Sequence, residues 1–186
     1  MKIMLFGGSF DPPHLGHQIM AQEIIRKKIA DEVWLVPCYK HPFDKKISPV
    51  KERLEMLNFL VSDKIKICDY EIKKNGTSFT IDTLNYFSQK MPDNKFLLLI
   101  GSDQLESFNK WKDYQDILKN YQVFVYPRIG YPVNIKYKEM IILSGVKEVP
   151  VSSTEIRQSV AKKENVGKML NNKVEKYIKN YSLYIN

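Results

Sequence analysis

Four short apolar runs recur along this 186-residue chain, at residues 2–7 (KIMLFG), 31–37 (DEVWLVP), 95–101 (KFLLLIG) and 121–127 (YQVFVYP). Each is a few residues long, rich in β-branched and aromatic side chains, and bounded by Gly or Pro, as a buried strand requires. Helical spacing fills the gaps. From Leu15 to about residue 29, Ala21, Ile25 and Ile29 share one face beside Met20 and Ile24. Further helices are expected over about 50–61 and 79–91, with one or two short ones between 104 and 119. Two more close the chain, the last with Val174, Tyr177, Ile178 and Tyr181 at i, i+3, i+4 and i+7. A third strand region is expected over 64–72, followed by a loop at KKNGTS, and a last strand over 147–153. Strands alternating with helices mean βαβ units, a parallel sheet and right-handed crossovers. The expectation is an α/β fold: a Rossmann-like, doubly wound, mainly parallel sheet in a single domain spanning residues 1–186.

Such sheets bind ligands beyond the carboxyl ends of their strands, where the strand order reverses. That directs attention to residues 7–17, 37–46, 101–111, 127–130 and 151–157. After the first strand comes GGSFDPPHLGH. Gly7 and Gly8 are expected to let the chain turn tightly, while Pro12 and Pro13 stiffen the approach to a helix starting near Leu15. His14 and His17 then project from one side of its first turn. Free N–H groups and partial positive charge at a helix N-terminus favour an anion. With Gly16 removing bulk between the imidazoles, the arrangement is a phosphate site. It is neither a dinucleotide G-x-G-x-x-G nor a P-loop. The bland alternative makes both histidines ordinary capping or surface residues.

A second anion site is expected at VPVSSTEIRQS. Ser152 and Glu155 fit a capping box, Ser153 and Thr154 add hydroxyls, and Arg157 adds a planar fork. Only four of the 29 basic side chains are arginines (Arg26, Arg53, Arg128 and Arg157), so each merits locating.

Net charge is +8, but the lysines are scattered. That favours a diffuse field attracting small polyanions over a nucleic-acid surface. No apolar run approaches the roughly 20 residues of a membrane span, and the N-terminus lacks an export-signal pattern. With Cys38 and Cys68 outside metal-ligand spacing, a reduced, cytoplasmic setting is expected.

The histidine segment and SSTEIR together resemble the two signatures of the nucleotidyltransferase superfamily. DEVWLVP, RLEML, TSFTIDTL, LIGSDQLESFNKW, VYPRIGYP and a C-terminal YIKNYSLY narrow the resemblance to bacterial nicotinate-nucleotide adenylyltransferases, over residues 2–184. The resemblance implies transfer of AMP from ATP to nicotinate mononucleotide, with Mg²⁺ arriving with ATP and no protein metal cage. It assigns His14, His17 and Arg157 to catalysis. Gly7, Gly8, Ser9, Phe10, Gly16, Gly101, Asp103, Ser152, Ser153 and Thr154 would bind ATP. Lys45, Thr80, Thr83, Trp111 and Arg128 would bind the mononucleotide, Trp111 by stacking on the pyridine ring unless it is plain core. The loop KHPFDKK departs from the family's usual P-P-H-K-like pattern, so the register of Lys45 there is open. The competing readings are a phosphopantetheine adenylyltransferase, an enzyme preferring nicotinamide mononucleotide, and a non-catalytic nucleotide- or RNA-binding module. A homo-oligomer is compatible with all of them.

Overall fold

The computed structural model describes residues 1–135, 137–146 and 149–185. Six parallel strands form one sheet in the order β3-β2-β1-β4-β5-β6. They are β1 (Lys2–Gly8), β2 (Glu32–Pro37), β3 (Ile65–Ile67), β4 (Lys95–Gly101), β5 (Gln122–Tyr126) and β6 (Met140–Ile142). The order reverses between β1 and β4, which opens a crevice beyond their carboxyl ends.

Both faces of the sheet are covered. Met4 and Phe6 of β1, with Leu97 and Leu99 of β4, face a layer containing α1 (Leu15–Arg26), α2 (Val50–Asn58), α6 (Ser153–Ala161) and α7 (Asn172–Asn180). Ile3, Leu5, Leu98 and Ile100 face the opposite layer, where α4 (Thr80–Lys90), α5 (Tyr114–Asn120) and a 3-10 stretch (Ser102–Lys110) pack. A strand buried on both sides has no polar face, which is why β1 and β4 read as unbroken apolar runs.

Three expectations shift. Helix α1 stops at Arg26 instead of running to Ile29. Lys28 takes φ +53°, its N–H bonds the Ile25 carbonyl and the Ile29 N–H bonds the Ile24 carbonyl. That is a Schellman motif with lysine at the left-handed position and Ile29 as its apolar contact. The third strand is confined to Ile65–Ile67; Tyr70–Lys74 is a short helix, α3, ended by Asn75 at φ +54°. The sixth strand is Met140–Ile142 rather than 147–153. Of that predicted strand, Lys147 and Glu148 lie outside the described residues and 149–152 are not strand.

Candidate active site

The turn off β1 is built differently from the sequence expectation. Gly7 and Gly8 are still strand residues, and the left-handed residue that reverses the chain is Phe10, at φ +49°. A Cβ at Gly7 would meet nothing within 4 Å, whereas one at Gly8 would press on the Phe10 ring at 3.2 Å. Gly7 therefore keeps open space at the strand end, and Gly8 makes room for Phe10. Phe10 is turned into the core behind His17, their ring centroids 4.9 Å apart.

His14 begins α1, and its backbone N–H donates to His17 Nδ1 at 3.2 Å. That bond makes Nδ1 an acceptor and leaves the proton of neutral His17 on Nε2. The rings stack with centroids 3.7 Å apart. A Cβ on Gly16 would sit 3.0 Å from the His14 ring, so glycine here clears space for His14 itself. Both imidazoles are buried. Burial, assisted by the Arg128 charge, pushes the His14 pKa down to about 3. Burial, then His14, then Arg128 hold His17 well below the ordinary value. Both rings are therefore held toward the neutral form, in which each keeps one N–H.

The late helix joins the same loop. Ser152 caps α6 by accepting from the Glu155 N–H at 3.1 Å. The Ser153 hydroxyl donates to the Pro12 carbonyl at 2.9 Å, and Arg157 Nη1 donates to the Asp11 carbonyl at 2.7 Å. Arg157 Nη2 also donates to Thr154 Oγ1. All three hydroxyls thus brace protein groups, while Arg157 retains three of its five donors beyond these bonds.

Arg128, which follows β5, lies on the histidine side. It pairs with Asp103 at 3.4 Å and donates to the Val151 carbonyl at 3.3 Å. With His14, Gly16, Tyr126 and Val151 it lines a small cavity. Asp103 Oδ1 and His14 Nδ1 are buried without a hydrogen-bond partner. A Cβ on Gly101 would strike both Asp103 and the Arg128 stem, so only glycine fits beneath this pair.

The second group of predicted residues lies around the ends of β2 and α4. Thr80 is half-buried at the start of α4. Thr83 is buried, its hydroxyl donating to Glu71 at 2.9 Å, and burial pushes the Glu71 carboxyl up. Trp111 is half-buried against Phe108, ring centroids 5.2 Å apart. Lys45 is exposed; burial of His41, followed by the Lys45 charge, lowers the His41 pKa.

Two anchors lie inside quoted motifs, Arg53 in RLEML and Asp11 in GGSFDPPHLGH, but were given no role from sequence. Arg53 on α2 is 1% exposed and donates to the carbonyls of Ser48, Ser9 and Cys38 at 2.9, 2.9 and 2.8 Å. Asp11, 2% exposed, accepts from the Ser48 N–H and the Tyr184 hydroxyl. Arg26, by contrast, is a surface partner of Glu23. No group of three or more His, Cys, Asp or Glu able to hold a metal occurs among the described residues.

A doubly wound sheet with a histidine-bearing strand-to-helix turn at its reversal point defines a nucleotide-binding α/β protein of the nucleotidyltransferase type. A profile of the cytidylyltransferase-like family matches residues 5–159. A Flavobacterium psychrophilum protein described as a probable nicotinate-nucleotide adenylyltransferase is 35% identical, over 99% of both chains. One of the same description from Halalkalibacterium halodurans is 35% identical over 98% of this chain and 91% of its own. The chain belongs to the cytidylyltransferase-like family and, within it, to the nicotinate-nucleotide adenylyltransferases. The fold also matches Plasmodium falciparum nicotinic acid mononucleotide adenylyltransferase complexed with NaAD. That match has TM-score 0.82 and 22% identity, and covers 98% of this chain and 97% of the other.

Proposed function

We propose that this chain transfers the AMP moiety of ATP to the 5′-phosphate of nicotinate mononucleotide, giving nicotinate adenine dinucleotide and pyrophosphate. The observation that carries the reading is the stacked, buried histidine pair at the start of α1, with Arg157 bonded into the same loop. The activity named for the 35%-identical relatives supports the choice of substrates.

The acceptor phosphate, with a second pKa near 6, is largely dianionic at neutral pH and attacks the α-phosphorus without a general base. The protein's task is then to hold the two phosphates in line and to place donors where charge develops. His17 Nε2–H and the His14 ring would donate to the phosphate oxygens around the reacting centre. Being neutral, they need not shed a charge's hydration to do so. Arg157 and the first-turn N–H groups of α6 would receive the departing pyrophosphate. Gly7 leaves the strand end open for the nucleotide, and Gly16 fixes the His14 ring. Ser9 and Phe10 shape the turn, the former through its backbone and the latter as a wall behind His17. Asp103 and Gly101 would lie by the adenosine, with Arg128 bracing that side. Thr80, Thr83, Trp111 and Lys45 remain the proposed mononucleotide side, Thr83 acting by tying α4 to Glu71.

The donors present are imidazoles, hydroxyls and guanidinium groups, which suit phosphate rather than a caged cation. Magnesium would therefore be carried by the triphosphate, offsetting its charge. The same chemistry suits a cytoplasmic setting, where ATP is available and buried Cys38 and Cys68 stay as thiols. We read residues 1–186 as one catalytic domain.

Pyrophosphate release with ATP, Mg²⁺ and each acceptor tests the assignment. Turnover with nicotinate mononucleotide is the expected result. Turnover only with phosphopantetheine, or a clear preference for nicotinamide mononucleotide, would overturn the acceptor.

A further inference from the structure

Asp11 sits in the first signature, yet its carboxylate faces neither histidine. Instead it joins two distant segments. The Tyr184 hydroxyl donates to Oδ1 at 2.7 Å, and the Ser48 N–H donates to Oδ2 at 3.0 Å. The carbonyl of the same residue accepts from Arg157 Nη1 at 2.7 Å. A tyrosine 173 positions away is thus one residue removed from the guanidinium assigned to pyrophosphate.

The route the chain takes to reach Asp11 is unusual. After α7, Ser182 at φ +50° closes a Schellman cap, its N–H bonding the Lys179 carbonyl, whereas Tyr184 at φ +63° takes left-handed backbone beyond that cap. Such conformations persist where the surroundings over-determine them. Here Leu183 and Tyr184 pack on the core layer of α1, α2 and α6, and the Leu183 N–H bonds the Ile178 carbonyl. Burial and the neighbouring Asp11 carboxylate raise the Tyr184 pKa, which keeps the hydroxyl a donor.

We propose that Tyr184 and Asp11 form a C-terminal latch that sets the position from which Arg157 grips the pyrophosphate end of ATP. Tyr184 is then a positioning residue, acting through Asp11 and Arg157 without touching substrate. Losing its hydroxyl leaves the Asp11 carboxylate held by the Ser48 N–H alone, lets the 11–12 peptide move, and shifts the carbonyl against which Arg157 is held. The inference rests on the assignment of Arg157 to the phosphates. A purely structural tyrosine would change thermal stability and nothing else.

The test compares wild type, Tyr184→Phe, Arg157→Lys and the double variant. Three quantities are read: affinity for inorganic pyrophosphate by calorimetry, KM and kcat for ATP, and Tm. Tyr184→Phe is expected to weaken pyrophosphate binding and raise KM for ATP about fivefold to tenfold, the effect of losing one charge-assisted hydrogen bond. In the Arg157→Lys background it should add almost nothing. Should Tyr184→Phe fold poorly, Ser182→Gly relieves the left-handed backbone and supplies a stabilised parent for the same comparison. Unchanged pyrophosphate affinity and KM, whatever the Tm, would overturn the latch. So would a loss that multiplies undiminished with that of Arg157→Lys. A wild type that binds pyrophosphate but makes no dinucleotide would defeat the assigned reaction instead, and the pyrophosphate comparison would still decide the latch.

Discussion

His14 and His17, at the end of β1, are buried and stacked, whereas Lys40, Phe43, Lys45 and Lys46, in the loop beyond β2, are exposed. Around the histidines, bonds arrive from many parts of the chain: Arg53, Ser153, Arg157 and the Met169 carbonyl, which accepts from the Leu15 N–H. The 40–46 loop is tied to the rest of the chain at Lys40, whose carbonyl accepts from the Ser78 N–H; beyond it the bonds are the loop's own, a His41–Asp44 backbone bond, a Phe43 N–H to His41 Nδ1 bond and a Lys40–Asp44 ion pair at 3.6 Å. Under the proposed reaction the difference would serve two chemical tasks. In-line transfer rewards donors fixed before the substrate arrives. Capture of a charged mononucleotide from water is served by exposed cations, whose individual contributions are small.

The sharpest way to break the contrast is to remove the anchor beneath the fixed side. Arg53→Met keeps the stem but strips donors from three carbonyls, leaving a buried set without partners. It should cost about 3–5 kcal/mol, or roughly 10 °C in Tm for a chain of this size. A melting curve within 2 °C of wild type would show that the three bonds hold nothing in place.

Next comes His17→Ala, expected to lower kcat by roughly 10²–10³, as for the loss of one preorganised donor. Steady-state kinetics showing a change in KM alone would reduce His17 to uniform substrate binding.

Acid should also find the fixed side first. Both folded-state histidine pKa values lie below the ordinary value, so the unfolded chain takes up protons that the folded one refuses. That stability is fully present above about pH 6.5 and is lost as pH falls toward the folded values. For His14 the loss by pH 5 is about 2 kcal/mol, or roughly 4–8 °C. Melting curves of ligand-free protein at pH 7 and 5 should show the drop, and His14→Asn should shrink it.

The smallest effects belong to the proposed mononucleotide side, with half-buried Trp111 ahead of exposed Lys45. Trp111→Ala should raise KM for the mononucleotide about tenfold with kcat little changed, unless the ring serves only the core beside Phe108. Lys45→Ala should raise it less than fivefold, with the increase fading in high salt. A Lys45→Ala effect larger than that of His17→Ala would reverse the comparison altogether.

Legibility in the sequence followed the same divide. Strands β1 and β4 are buried on both faces, so composition alone revealed them, and the strand-to-helix turn followed from its prolines and histidines. Short edge elements were harder. β6 has three residues with Ile141 and Ile142 exposed, too few for a pattern to register. At 64–72 an apolar run suggested one strand, but Asp69 and Asn75 flank a helical turn that brings Glu71 under Thr83. The residues brought together at the turn into α1 and at the start of α6 were visible because motif residues lie close in sequence. Arg53 stood out as a rare arginine and as the first residue of RLEML, neither of which says what it holds, and the bonds joining Asp11 to Ser48, Arg157 and Tyr184 span distances no spacing rule encodes.

The central claim is that the phosphate-binding donors are neutral and set before ATP arrives. A ¹⁵N-detected NMR titration of the ligand-free protein measures this directly. The account predicts that His14 stays neutral from pH 8 down to about 5 and that His17 takes up its proton only well below the ordinary imidazole range, with its neutral-form proton on Nε2. Titration of either site histidine near pH 6.5, or a proton on His17 Nδ1 in the neutral form, would contradict it.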